Sequence, residues 1–456
     1  MATSPTVEEP DGVFNGVEQV TVRLSAPGTI YYTTDGTLPN ASSPIYSEPL
    51  VLTKTSIVRA INWEQGAMPS RALTLSYIIN EGHSLPVTSL VSDDKLTFNG
   101  MYHAGSKGTE TPGSLSFYGE DVRFTIPCGV KMQGGTSLAL PKKNMSVRFR
   151  GAYGQERLDC DLFGGGVTGF TNLLLRAGQD YYVSIIRNEL CLNLARSASD
   201  HLVTQRSRYC VLYVDGKYYG IYSLMEKSNE QMYADWLGVS RESVTTVDGD
   251  DTLNSQLNQQ LLSYCLTQDM RQPEHYAYFC EHMDVDSLID WFLLEGYCAN
   301  GDLTYGNLRY CRSTEGDGKW RFMFYDLDAA FMEAELNYYN LFSEFQLQSK
   351  QICMVLAELL KNEQFQDRML TRAGELLNGP LTNEKVLAEI DRLAAQVAPE
   401  VERDYVRYEL DYEGWVRRVQ HLRSFIQEQD WRQHNIDSLC RIFKLTPLQR
   451  ETYFGE

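Results

Sequence analysis

The chain has no long apolar run. No stretch approaches the roughly 18 consecutive apolar residues of a membrane-spanning helix, and the opening MATSPTVEEPDG carries neither the basic nor the apolar segment of a signal peptide. The expectation is a protein with no membrane span, either working inside the cell or already trimmed of a leader. Histidine is scarce: the seven residues form no H-E-x-x-H or similar pair, and the ten cysteines, scattered from Cys128 to Cys440, include no C-x-x-C. These absences argue against a zinc site or a dithiol redox centre. Most cysteines are expected to be buried thiols; one or two disulfides stay open, and cysteine content this low in a chain this long does not establish an oxidising compartment. Neither the G-x-S-x-G elbow of a hydrolase nor the G-x-x-x-x-G-K-[ST] phosphate loop is present. Positive charge is in deficit too, with 41 Lys and Arg against 60 Asp and Glu and a formal net charge of −19. A surface that acidic repels nucleic acid and anionic lipid. A nucleotide could be held only where cationic side chains or a divalent metal are concentrated.

What is present reads as a folded protein. At 456 residues, 43% apolar and 22% charged, the chain is too long for one core, so two or three domains are expected. From Val20 to about Asn80, short period-two runs divided by turn residues predict a small antiparallel β-sandwich, with a D-G hairpin turn at Asp35-Gly36. Tyr31, Tyr32 and Trp63 in this part suit either its core or a ligand surface. Glu81 to Pro86 reads as a connector. Strands are predicted at 85–91, 122–132 and 145–149, and a helix over 183–198 from the i+4 spacing of Ile186, Leu190 and Leu194. A second D-G hairpin is predicted at Asp215-Gly216. Beyond Glu230 the pattern is helical except for LRYCR and KWRFMFYD, and no solenoid repeat is visible. The layout is α+β: a β-sandwich over 1–82, a mixed domain over 83–340 and a helical extension over 341–456.

Four segments could carry chemistry. The sharpest is Asp302-Leu-Thr-Tyr-Gly-Asn307 followed, after two short strands, by Asp326-Leu-Asp328. Phosphoryl transfer needs a carboxylate near the acceptor hydroxyl and acidic or amide oxygens to hold magnesium; kinases commonly use D-x-x-x-x-N and then a metal-binding Asp. The spacing alone is also met by unrelated loops, and Asp328 before AAFMEAEL could be a helix N-cap. In the second segment, GVKMQGGTSLALPKKNMSVRFR, the small residues up to Ser137 could approach a phosphate and Lys142 or Lys143 could supply a point charge. A strand entry with solvated lysines is the plainer reading. The third is the predicted helix start, where Arg187 and Glu189 open the helix and Asp180 precedes it. The fourth is Glu226, a carboxylate ending an apolar strand. No acid pair for glycoside hydrolysis is singled out among so many carboxylates.

In chain order these pieces resemble the spore-coat protein H (CotH) kinase family. The matching segments are Gly135 to Lys143, Arg176 to Asn188, the V-x-G-x-Y-x-G-x-Y-x-L-x-E hairpin from Val214 to Glu226, N-x-D-x-x-x-x-N from Asn300 to Asn307, and the aromatic-D-x-D of Tyr325 to Asp328. The resemblance covers roughly 85–340, and the later segment with Trp415, Leu422 and Phe425 is similar to the family's C-terminal extension. It implies a divergent two-lobed kinase-like fold and transfer of the γ-phosphate of ATP, with Mg2+ or Mn2+, to Ser or Thr of a spore-coat or other surface protein. By the same resemblance Asp302 is the catalytic residue and Asn307, Asp326 and Asp328 hold the metal. Ser137, Lys142, Lys143, Arg187 and Glu226 would serve the nucleotide. Two departures stand out: Gln133-Gly-Gly-Thr-Ser137 replaces an Arg-Gly-Asn-Ser-like turn, and Tyr325 replaces a frequent Trp. Neither removes a required acid. The competing functions are an inactive surface scaffold and transfer of AMP. The first 80 residues resemble the chitobiase C-terminal-like module of secreted bacterial proteins, which implies a spacer or a glycan contact and an extracytoplasmic or surface address.

Overall fold

The computed structural model describes all residues except 179–183, 250–253, 303–306 and 344–349. Asp180 and Val183, read from the sequence as the approach to a helix, lie outside the described residues. The chain forms two compact units, one made of Met1–Ala177, Ser207–Lys227 and Gln396–Tyr412, the other of Gly178–Arg206, Ser228–Ala395 and Glu413–Glu456. Each unit is discontinuous along the chain: in the first, strands beyond residue 206 complete a barrel begun before residue 177.

The first unit opens with the expected strands: β1 Gly12–Phe14, β2 Val20–Val22, β3 Thr29–Thr33, β4 Leu50–Leu52, β5 Ser56–Trp63 and β6 Leu73–Ile79. They pair as a four-stranded sheet in the order β1-β6-β5-β3 and a two-stranded β2-β4 sheet. Only the β1–β6 pair is parallel. Val20, Val22, Ile30, Leu50, Leu52, Val58, Ala60, Leu75 and Tyr77 alternate inward and form the core. Tyr32 packs against that core, whereas Trp63 is 38% exposed with the Tyr31 ring 5.9 Å away. The expected hairpin at Asp35-Gly36 does not form. Strand β3 pairs along its length with β5 and meets the segment after the turn only around Pro44–Tyr46, and Asp35 Oδ1 accepts from the Thr37 amide (3.0 Å) and hydroxyl (2.6 Å). The aspartate closes a side-chain turn rather than a two-residue strand connection.

The same unit holds a closed seven-stranded barrel of β7 Val87–Ser92, β8 Thr111–Tyr118, β9 Arg123–Gln133, β10 Asn144–Arg148, β11 Asn172–Arg176, β12 Ser207–Val214 and β13 Lys217–Glu226. Its order is β8-β9-β10-β11-β13-β12-β7, and only β7 and β12 run parallel. Leu90, Leu115, Phe117, Val130, Val147, Leu173, Leu212 and Leu224 fill its interior. The second predicted hairpin is borne out: Val214 faces Lys217 across Asp215 (φ 49°) and Gly216 (φ 75°). Two consecutive positive φ values make the turn whose twist matches the strands it joins.

The second unit is mainly helical, around α1 Arg187–Ala198 and α2 Val285–Cys298, with a three-stranded antiparallel sheet of β14 Val244–Asp248, β15 Arg309–Ser313 and β16 Arg321–Met323. Strand β14 was not expected, although its Val-Thr-Thr-Val run is β-branched throughout. The helix Glu363–Asn378 ends at Gly379. Asp328 does not cap a helix, since the backbone after it runs through turns. All ten cysteines are free thiols. Among the described residues no helix is long and apolar enough to cross a membrane.

Candidate active site

Helix α2 delivers the first part of the site. Asp284 caps its N-terminus by accepting from the Ser287 amide (3.1 Å), and 13 of its 14 residues are buried. Such all-round burial belongs to an interior helix. Ala299 ends it in the left-handed conformation (φ 46°), its N–H reaching back to the Glu295 and Gly296 carbonyls. The chain then enters the motif directly. Asn300 is 2% exposed, and its Oδ1 accepts from the Asp302 amide (3.2 Å). Gly301 donates to the Ala329 carbonyl (3.2 Å), which ties this loop to the one carrying Asp326 and Asp328.

Asp302 and Asn307 meet across residues 303–306, which lie outside the described ones. Asn307 Nδ2 donates to the Asp302 backbone oxygen and to its Oδ2, each at 3.1 Å. That nitrogen has two hydrogens, and both are taken. The atom Asn307 has left for a cation is therefore its Oδ1. Burial raises the pKa of the Asp302 carboxyl, and the negative charge of Asp326 raises it further. Two carboxylates held close enough to oppose each other's ionisation are stabilised together by a cation.

Asp326 follows the β16 segment with φ at +61°, a conformation that aspartate and asparagine tolerate better than most residues and that concentrates at functional sites. The first turn of α1 holds the loop from the other side. Asn188 Oδ1 accepts from the Leu327 amide (3.3 Å), and Arg187 Nη1 donates to the Asp328 carbonyl (3.3 Å). Both contacts grip backbone between and after the two acids. Among the described residues the buried Asn188 Nδ2 has no hydrogen-bond partner, a cost accepted because the acceptor end of its amide is committed to Leu327. The carboxylates of Asp326 and Asp328 and the amide oxygen of Asn307 are the hard oxygen donors that could hold magnesium or manganese here.

The remaining candidates lie in the first unit. Lys142 and Lys143 are 2% and 6% exposed, which corrects the reading of solvated lysines at a strand entry. Lys142 Nζ donates to the Ile221 carbonyl (2.6 Å) and pairs with Asp404 (3.0 Å), between the rings of Tyr222 and Tyr408. Burial lowers the lysine pKa and raises that of Asp404, each against the attraction of its partner. A β-carbon on Gly220 would lie 1.7 Å from Asp404 Oδ1, so this glycine of the hairpin motif is what lets Asp404 reach Lys142. Lys143 Nζ donates to the Leu138 carbonyl (2.7 Å) and to that of Leu140. Ser137 sits in a short 3-10 turn, Thr136–Ala139, next to these carbonyls. Glu226 is buried at the end of β13, opposite Leu173.

Thus Arg187, Asp302, Asn307, Asp326 and Asp328 fall in the second unit, and Ser137, Lys142, Lys143 and Glu226 in the first. Sequence reasoning missed three residues. Glu295 had a signal, a lone acid in the apolar run FLLEGYC. Asn188 lay inside a quoted motif without a role. Asp404, 262 residues from Lys142, had none.

Compared with known protein families, residues 130–432 match the CotH kinase protein family. The chain belongs to that family. The CotH match spans more than half of the chain and includes every candidate from Ser137 to Asp328. Residues 9–74 match the chitobiase/beta-hexosaminidase C-terminal domain. No curated protein matches. Among solved structures, the crystal structure of a Helicobacter pylori proinflammatory kinase, CtkA, is matched at 11% identity over 66% of this chain and 94% of that one, with a TM-score of 0.26. That score is too low for its fold to be carried over to this CotH-family chain.

Proposed function

We propose that this chain is a metal-dependent protein kinase that transfers the γ-phosphoryl group of ATP to a serine or threonine hydroxyl. The observation that carries the reading is the Asn307 amide. Its nitrogen is spent on Asp302, so one residue both fixes the proposed base and offers an oxygen to metal beside Asp326 and Asp328. A magnesium ion bound there would neutralise charge on the phosphates and hold them in line. Asp302 would orient the acceptor hydroxyl and take its proton as the oxygen–phosphorus bond forms and the bond to the bridging oxygen of ADP breaks. Its raised pKa suits a base that must accept and release a proton.

Ser137, Lys143, Arg187 and Glu226 stay as proposed nucleotide contacts. A phosphate approaching Lys142 would have to compete with the Asp404 carboxylate, so Lys142 fits the proposal better as a buried organiser of its barrel wall. The protein substrate is proposed to be a surface or spore-coat protein. The exposed Trp63 beside Tyr31 favours a glycan contact for the N-terminal module, since carbohydrate rings stack on such faces, and with it an address outside the cytoplasm. Calorimetry with ATP and magnesium tests the site: binding in wild type that disappears with EDTA is expected. Absence of binding with magnesium and with manganese would leave a non-catalytic surface protein as the better account.

A further inference from the structure

A carboxylic acid that the proposed chemistry does not use lies directly behind the site. Glu295 is 3% exposed in the last turn of α2, and among the described residues no arginine, lysine or histidine is paired with it. One of its oxygens, Oε2, accepts from Asn300 Nδ2 at 3.0 Å. The same Asn300 side chain accepts from the Asp302 amide at 3.2 Å through its Oδ1. Asn300 is itself folded back onto the helix, its N–H reaching the Glu295 carbonyl at 3.3 Å. Both ends of the Asn300 side chain are therefore used, one toward Glu295 and one toward Asp302. The chain of contacts continues from Asp302 to Asn307.

We infer that Glu295 is a positioning residue that sets the orientation of Asp302 through the Asn300 amide. This rests on Asp302 acting as proposed above. An asparagine next to a backbone N–H can present either its oxygen or its nitrogen, and only the oxygen accepts. Glu295 decides which: its carboxyl oxygen takes the Nδ2 hydrogen, and the Asn300 carbonyl is left facing Asp302. Without that acceptor the amide is free to turn, and Asp302 loses the bond that fixes the entry of its loop. Placement errors of about 1 Å in reacting groups cost on the order of 10²-fold in rate.

The protonation of Glu295 gives a second handle. Burial pushes its carboxyl up to about 8, while hydrogen bonds from Asn300 and Trp291 oppose this and the Asp302 charge adds to it. The titratable groups facing it are Asp302 and the Cys298 thiol. Near neutral pH the side chain is mostly an uncharged acid, which still accepts from Asn300. Above its pKa it becomes a buried anion close to the Asp302 carboxylate.

The test is steady-state phosphoryl transfer by the full chain with ATP and magnesium, comparing wild type, Glu295→Ala and Glu295→Gln from pH 6 to 9.5. Glu295→Ala should lower kcat by about 10²-fold with the KM for ATP within twofold of wild type. Glu295→Gln, which keeps an acceptor for Asn300 and cannot ionise, should recover most of kcat and lose the fall in rate that wild type shows above pH 8. Full activity in Glu295→Ala, or equal loss in Glu295→Gln, overturns the positioning role while leaving the kinase reading intact. Loss of ATP affinity together with turnover in Glu295→Ala marks a structural role and overturns it as well. A wild type that transfers no phosphate under any of these conditions overturns the kinase reading and this inference with it.

Discussion

Asn307 turns its side-chain nitrogen toward Asp302, 3.1 Å from both the backbone oxygen and Oδ2. The orientation predicts how substitutions at 307 separate. Asn307→Asp keeps an oxygen for metal but removes the donor and sets a carboxylate against Asp302. Metal-dependent ATP binding should persist while phosphoryl transfer drops about 10²-fold or more. Asn307→Ala should lose both, and calorimetry beside a transfer assay reads the difference.

Asp326 carries a positive φ of 61°, so its substitutions must separate backbone from ligand. Asn tolerates that conformation nearly as well as Asp, and Asp326→Asn should leave the unfolding temperature within a few degrees of wild type. It should nevertheless weaken magnesium-dependent ATP binding about 10-fold or more, since an amide oxygen replaces a charged one. An unchanged affinity would remove Asp326 from the metal site.

The buried pair of Lys142 and Asp404 should behave as a unit. Lys142→Met strands a buried carboxylate, and breaking such pairs typically costs about 3–5 kcal/mol. The double variant Lys142→Met with Asp404→Leu should recover much of this. Gly220→Ala should be destabilised through the same contact, because its new methyl group would displace Asp404. Urea denaturation of wild type, Lys142→Met, Asp404→Leu and the double variant gives the coupling directly.

Glu295 predicts a pH dependence of stability whose sign is fixed by its raised pKa. A group with a higher pKa folded than unfolded gives its full contribution below the unfolded value, near 4.5, and loses it as pH rises through the folded value of about 8. The whole interval corresponds to something on the order of 5 kcal/mol. Wild-type stability should therefore fall between pH 5 and 9 more steeply than that of Glu295→Gln. Parallel curves for the two proteins would contradict the buried, uncompensated carboxyl.

Much of the fold was legible because local chemistry specified it. The Asp215-Gly216 turn sits between two strands of matching alternation, and both of its residues take positive φ. The same dipeptide at Asp35-Gly36 misled, since the chain after it does not turn straight back onto β3: it returns only around Pro44–Tyr46, where Tyr31 faces Ile45, while β5 forms the full strand partner of β3. The proposed site residues Asp302, Asn307, Asp326 and Asp328 stand out in the sequence by their spacing together with upstream motifs. Their supports were not. Asn188 and Glu295 act through single hydrogen bonds to Leu327 and Asn300, and no period or composition marks such bonds. Asp404 reaches Lys142 only because the chain returns to the first unit at Gln396 after building Ser228–Ala395 into the second.

The central claim is that Asp302 serves phosphoryl transfer from ATP. Incubating the full chain with magnesium and a serine-rich protein acceptor, in parallel with γ-labelled and α-labelled ATP, tests it most directly. The account predicts label on protein from the γ position alone, abolished in Asp302→Ala while ATP binding by calorimetry survives. Label from the α position would instead mean transfer of AMP, and an Asp302→Ala variant as active as wild type would contradict the account.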